Sequence, residues 1–354
     1  MKKDPFILAI DTSCDDTSAA VLKGERVLSS IVSSQIDIHK EWGGVVPHLA
    51  RRAHEEMIGK VVGKALRVAG VKGTESLDAI AVTYGPGLAP ALGVGVVWAK
   101  EKASRYGKKL IPVNHMEGHV LSAFLEDRKG RSYSGLEKPE FPALALTASG
   151  GHTEIVRVQE IGNYKIIGQT LDDAAGEAFD KVARMLGLGY PGGPAVEQFA
   201  LGADRTCFSI PRPMEKSVDF NFSFSGLKTA CLYQIRELKK EWVEKGFSKI
   251  VPAYCASLQE AIVDSLLIKL EKAAKKYEPR MILVGGGVSA NNRLRFKFRK
   301  AFKEFNIPIY FPRKKFCMDN AAMIALVGVY KWRKKQWLRD PRSLDRSPRL
   351  RLEL

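Results

Sequence analysis

His115 and His119 stand four residues apart in the pentapeptide His115-Met116-Glu117-Gly118-His119. On a helix that spacing places both imidazoles on one face, about one turn apart, where they can reach a single cation. A carboxylate from elsewhere would complete a three-ligand set and leave coordination positions open for a substrate. Asp319 is a candidate, although spacing alone does not single it out from the other acids. An Asp just before the apolar run 321–329 also reads as a helix N-cap. Two i,i+4 histidines can equally be ordinary core or surface residues, but the chain has only six His, and this pair flanks a Glu. Glu117 follows His115 by two positions rather than one, about 200° around the helix. The base that an HExxH protease aims at its zinc is therefore out of phase, and Glu117 reads as structural.

Three glycine-rich turns offer a second kind of chemistry. Ser149-Gly150-Gly151-His152-Thr153 presents consecutive backbone N–H groups and a hydroxyl, a cradle for a phosphate or carboxylate. The same residues would also make a plain hairpin turn. Asp11-Thr12-Ser13 is its counterpart in the first half of the chain. The segment 284–293, Val-Gly-Gly-Gly-Val-Ser-Ala-Asn-Asn-Arg, ends a strand and opens a helix, so its backbone can approach a ring or ribose closely. It is neither GxGxxG nor a Walker A loop. Asp172 and Asp173 suit the start of a helix, whereas Asp180 lies too far in to cap it and suits a ribose hydroxyl. Pro191-Gly192-Gly193-Pro194 is a rigid turn before a further helix. The 223–229 stretch could line the same site or pack as core.

These groups need a frame. Strands are expected at 6–10, 18–22, 27–33 and 79–84, then again at 143–147, 154–159 and 164–169, with helices over 47–68 and 91–106. A strand, polar turn, strand, hairpin, strand unit thus occurs twice, about 135 residues apart. The expected architecture is α/β: two lobes with duplicated mixed β-sheets and a ligand cleft between them, as in actin, the heat-shock ATPases and sugar kinases. The lobes would cover 1–125 and 141–318, joined by a linker over 126–140. A last helix, 319–335, would complete the first lobe, leaving a basic tail over 336–354.

The net charge of +17 favours a polyanionic partner such as nucleic acid, unless it reflects only a lysine-rich proteome. Five cysteines without CxxC spacing look like reduced thiols. No signal peptide, transit peptide or bilayer-length apolar run is apparent, so a cytoplasmic protein with no membrane partner is expected.

Taken in order, the motifs closely resemble the TsaD family, from Ile10 to about Val329. They are Asp-Thr-Ser-Cys-Asp-Asp-Thr (11–17), Ser-Gln (34–35), Gly-Gly-Val-Val-Pro (43–47), Tyr-Gly-Pro-Gly-Leu (84–88), the 115–119 pentapeptide, Ser-Gly-Gly-His-Thr (149–153), the 172–181 acidic stretch, Tyr-Pro-Gly-Gly-Pro (190–194), 222–229, Gly-Gly-Val-Ser-Ala-Asn (286–291) and Asp-Asn-Ala-Ala-Met (319–323). The Ala-Gly-Glu-Ala-Phe-Asp-Lys form is closest to the bacterial branch. The chain departs from the family pattern at Asp11, Asp16 and His48, where Glu is usual.

The resemblance implies the actin-like ATPase/sugar-kinase (ASKHA) fold and a tRNA threonylcarbamoyltransferase. Such an enzyme moves threonylcarbamoyl from threonylcarbamoyl-AMP to N6 of adenosine 37 in tRNAs reading ANN codons, releasing AMP. It implies one divalent metal, Fe2+ or Zn2+, on His115, His119 and Asp319. Thr147, Ala148, Ser149, Gly150 and Gly151, with Asp180, Gly193 and Asn291, would bind the adenylate. TsaB-like and TsaE-like proteins would be partners. Asp11 is a candidate base for the amine proton, and the basic 331–351 stretch a candidate tRNA contact, or merely a solvated charge run. A small-molecule kinase of the same fold and a metalloprotease, an older label for this family, are the competing readings.

Overall fold

The computed structural model describes residues 4–136 and 138–353. The chain forms two compact units, Met1–Pro139 with Tyr310–Leu354, and Glu140–Ile309. The first unit holds β1 (Phe6–Asp11), β2 (Asp16–Lys23), β3 (Arg26–Ser34), α1 (Ile36–Lys40), α2 (Pro47–Ala69), β4 (Ala79–Gly85), α3 (Ala89–Arg105), β5 (Lys109–Asn114) and α4 (His115–Leu121). The second holds β6 (Ala143–Ala148), β7 (Thr153–Glu160), β8 (Asn163–Gln169), α5 (Ala175–Met185), α6 (Gly192–Phe199), α7 (Ser225–Lys245), α8 (Phe247–Tyr277), β9 (Met281–Gly285) and α9 (Asn292–Glu304). The short β10 (Ile309–Tyr310) leads back to the first unit and α10 (Ala321–Arg333).

Each sheet has five strands, ordered β3-β2-β1-β4-β5 and β8-β7-β6-β9-β10, so the repeat legible in the sequence extends to topology. In both, an antiparallel meander (β1–β3, β6–β8) adds a parallel neighbour to its first strand, β4 to β1 and β9 to β6. β1 reads as an unbroken apolar run because both its faces are covered. Leu8 and Ile10 pack with Ile58 and Val62 of α2 and Val96 and Ala99 of α3. On the other face, α10 comes so close that a Cβ on Gly328 would lie 2.9 Å from Ala81 and 3.2 Å from Ile7.

Three stretches differ from expectation. The expected 126–140 linker is tied to the first unit at its start: Glu126 N donates to Glu25 O at 3.0 Å, Val27 N to Glu126 O at 2.9 Å, and the Arg128 guanidinium to Leu28 O and Val68 O. The basic end of the chain also folds back onto the first unit. Leu338 N donates to Leu110 O at 3.0 Å, and Leu344 and Leu352 are buried. Residues 310–318 likewise join the first unit rather than the second. Among the described residues one helical stretch, Ile250–Tyr277, is long and apolar enough to cross a membrane, with a mean hydropathy of 1.2. It is a core helix here, 78% buried over its most apolar window. All five cysteines are free.

Candidate metal centre

α4 begins where β5 ends, and Asn114 makes the junction. Its Oδ1 accepts from Met116 N at 2.8 Å and Glu117 N at 3.4 Å, the N-cap its side chain suits. Every residue of this seven-residue helix is buried, and His115 and His119 sit one turn apart with ring centroids 4.7 Å apart. At the start of α10 the cap falls to Asn320, whose Oδ1 accepts from Met323 N at 3.1 Å. Asp319 is thereby left free to turn its carboxylate to the imidazoles. Its Oδ1 lies 3.4 Å from His115 Nε2 and 3.2 Å from His119 Nε2. Gly118 lets the two helices meet, since a Cβ there would lie 2.9 Å from Met323 Cγ.

The ligand atoms of the three residues lie within 4.8 Å of one another. Burial disfavours the charged form of His115, yet Asp319 and then Asp11 outweigh it and push its pKa to about 10. For His119 burial wins, and its pKa falls. Burial acts against the Asp319 carboxylate too, but His115 and His119 hold its pKa well below the usual carboxylate range. Two imidazoles and a carboxylate thus converge on one point, where a cation would compete with protons for the same atoms. Two His and one carboxylate with further positions open is a donor set that suits Fe2+ or Zn2+. Asp11, 1% exposed, fits the same reading: its Oδ2 is 3.2 Å from His115 Nδ1, the carboxylate behind a ligand imidazole.

That placement bears on the expectation for Asp11. Its Oδ1 accepts from Ser13 N at 3.0 Å while Oδ2 faces His115, so the buried carboxylate suits orienting an imidazole better than collecting a substrate proton. Asp16 follows on the same turn. Burial, joined by Asp15, Asp319 and Asp11, pushes its pKa to about 7. His48, another departure, is exposed on the first turn of α2. Glu117 is 6% exposed and sits 3.6 Å from Lys331 Nζ.

A buried polar chain beneath the acidic turn went unread in the sequence. Val46 N donates to His39 Nδ1 at 3.3 Å, so His39 Nε2 donates to Gln35 Oε1 at 3.2 Å. Gln35 Nε2 then approaches His54 Nδ1 at 3.3 Å, and His54 Nε2 donates to Cys14 O at 3.0 Å. Both histidines are 0% exposed. Their spacing has no signature, because the groups meet only through the fold.

In the second unit, β6 ends in the expected turn. Ser149 N donates to His152 O at 2.8 Å, and Ser149 Oγ accepts from His152 N at 3.2 Å. Gly150 and Gly151 are exposed, with nothing within 4 Å of an added Cβ. Thr147, at 0% exposure, has an Oγ1 with no hydrogen-bond partner. Gly176, at the start of α5, abuts the turn so closely that a Cβ would lie 2.5 Å from Ser149 O. Gly286, at φ +85°, meets Ala148 O in the same way at 2.3 Å. Two expected ligand side chains are already engaged. Asp180 Oδ1 accepts from Gly192 N at 2.7 Å, bracing the turn that carries Gly193. Asn291 caps α9 through Leu294 N at 3.0 Å and donates to Gln259 Oε1 at 2.7 Å. Asp172 caps α7 through Phe224 N and Ser225 N, and Asp173 pairs with Lys181 and Lys228, so these acids and the 223–229 stretch hold one another in place.

Residues 26–326 match the family model of TsaD, tRNA N6-adenosine threonylcarbamoyltransferase. A protein of that description from Thermosipho africanus is 46% identical over 347 residues, which cover 98% of this chain and 100% of the relative. The chain belongs to the TsaD family. One from Anaeromyxobacter dehalogenans is 47% identical over 326 residues, 92% of this chain and 93% of its own. Among solved structures, full-length HypF in its phosphate- and nucleotide-bound form matches with a TM-score of 0.58 at 13% identity, over 96% of this chain and 48% of HypF. The Clostridium difficile activator of 2-hydroxyisocaproyl-CoA dehydratase, with bound ADPNP, matches with a TM-score of 0.52 at 13% identity, over 94% of this chain and 97% of its own. The fold is thus of the ASKHA type. The enzyme is a transferase that places a threonylcarbamoyl group on N6 of adenosine in tRNA, which sets aside the protease and small-molecule kinase readings.

Proposed function

We propose that the donor is threonylcarbamoyl-AMP and the acceptor adenosine 37 of tRNAs reading ANN codons. In this reading the N6 lone pair attacks the carbamoyl carbon, the bond from that carbon to the phosphate oxygen breaks, AMP leaves, and the amine gives up one proton. His115, His119 and Asp319 hold one divalent ion, Fe2+ or Zn2+. Such an ion supplies a Lewis acid for the threonyl end of the donor. Asp11 acts through His115, holding the ring orientation from its Nδ1 side. Gly150 and Gly151 offer backbone N–H groups to the adenylate phosphate, next to Thr147, Ala148 and Ser149. Asp180 positions Gly193 through the Gly192 N–H, and Asn291 sets the start of α9 beside the adenylate. A tRNA substrate agrees with the net charge of +17 and with a cytoplasmic location. TsaB-like and TsaE-like proteins are the proposed partners.

The observation that carries this reading is the convergence of two Nε2 atoms on one Asp319 oxygen. Threonine incorporation into unmodified tRNA from threonylcarbamoyl-AMP, with the partners present and then omitted, tests it. Transfer should require metal and vanish in His115→Ala, which should also lose bound ion. Full transfer by a metal-free enzyme would refute the assignment.

A further inference from the structure

The folded-back end of the chain does more than cover the core. Lys100 Nζ donates to Leu344 O at 2.7 Å, anchoring the segment on α3. It then crosses the carboxyl end of β4, where Ser347 N donates to Tyr84 O at 2.6 Å and Gly87 N to Pro348 O at 3.2 Å. The approach needs a glycine beneath it, since a Cβ on Gly85 would lie 1.9 Å from Ser347 O. The segment ends on Asn114, whose Nδ2 donates to Arg351 O at 2.9 Å, and Leu352 is buried beyond it. Asn114 is the residue whose Oδ1 caps α4. One amide therefore ties residue 351 to the helix that carries both histidines.

We infer that residues 346–352 are a positioning strap for the metal-site helix: by holding the Asn114 amide they fix the cap, and so the placement of His115 and His119. The inference rests on reading that cluster as a metal centre. α4 has seven residues, too few to hold its own shape, so its geometry comes from its cap and its packing. Arg351 acts through its main-chain carbonyl, and its side chain is exposed. A strap and a basic tRNA-binding tail therefore make different demands: the first needs the backbone path and Leu352, the second needs the guanidinium groups.

The test compares the full enzyme with a variant lacking residues 346–354, with Leu352→Ala as a milder lesion and Arg349→Ala as a charge control. Two readouts are taken: Co2+ affinity by competition with a chelator, and amide hydrogen exchange at Met116 and Glu117, the N–H groups that Asn114 caps. The deletion should weaken Co2+ binding roughly 10-fold or more, as loss of support behind a ligand does, with Leu352→Ala intermediate and Arg349→Ala within about twofold. Faster exchange at Met116 and Glu117 should accompany the loss. Deleting three arginines and one glutamate would by charge alone favour a cation, so a loss of affinity cannot come from electrostatics. Unchanged affinity and exchange in a folded deletion variant, or in Leu352→Ala should the deletion not fold, would overturn the strap. An intact enzyme that binds no Co2+ would instead count against the metal reading, and the exchange data alone would then decide the strap.

Discussion

Replacing Gly118 with alanine should separate fold from metal binding. Its added Cβ would stand 2.9 Å from Met323 Cγ and 3.1 Å from Ile324 Cδ1, both on α10. Carbon atoms in ordinary contact sit about 3.5–4.0 Å apart, so α4 and α10 must separate by roughly 0.5–1 Å unless the two side chains turn away. Metal–ligand distances tolerate about 0.2 Å. His119 is on one of these helices and Asp319 at the foot of the other, so the strain falls on the ligand set. Overpacking costs about 1–3 kcal/mol, and removing a helical glycine returns about 1 kcal/mol, leaving a net loss of about 0–2 kcal/mol. Gly59 on α2 is the control: nothing lies within 4 Å of its Cβ position. Gly59→Ala should stabilise by about 0.5–1 kcal/mol with no effect on the metal. Urea unfolding and Co2+ titration of both variants make the measurement, with metal affinity expected to drop at least about tenfold in Gly118→Ala alone. If Gly118→Ala bound Co2+ like the parent, the spacing of α4 and α10 would not set the site.

Glu117→Gln should keep transfer activity within a few-fold while losing about 1–2 kcal/mol of stability, because its carboxylate serves Lys331 rather than the reaction. Collapse of activity with metal still bound would make Glu117 a catalytic base after all. Burial lowers the pKa of His54, so below about pH 6.5 the unfolded chain takes up a proton that the folded chain refuses. The His54 contribution is thus present above that pH and lost as pH falls below it; urea midpoints at pH 5.5 and 7.5 should diverge less in His54→Gln than in the parent. Gly176→Ala would press a Cβ to 2.5 Å from Ser149 O and should weaken AMP binding by calorimetry while Co2+ affinity holds. Unchanged AMP binding would detach the 149–153 turn from the adenylate.

How far the sequence could be read follows from how local each signal is. β1 was legible because an apolar run covered on both faces has no alternation to confuse it, and the repeat of its turn and hairpin exposed the second sheet. The His115/His119 pair was legible because one helical turn sets its geometry. Asp319 was not separable from other acids, since its meeting with the pair spans 200 residues and depends on Asn320 taking the cap. The buried chain through His39, Gln35 and His54 was invisible for the same reason. Segment 336–354 read only as a basic tail because its anchors, Leu344 and Leu352, are sparse and aperiodic, and its other ties use main-chain atoms that composition does not report.

The acidic turn after β1 has a reason that emerges only from the assembled site. α4 and α10 both begin here, and each helix N-terminus carries up to about half a positive charge. Two such ends facing one point disfavour a cation by as much as about one unit charge. Asp319 alone would do little more than cancel them. Asp11 behind His115 restores a net negative charge, Asp15 lies close enough to feel Asp319, and Asp16 close enough to feel Asp15, Asp319 and Asp11. Their raised pKa values record that crowding, with burial as its largest part. The carboxylates at 11, 15 and 16 thus serve a site whose first ligand, His115, lies 99 to 104 residues further along the chain.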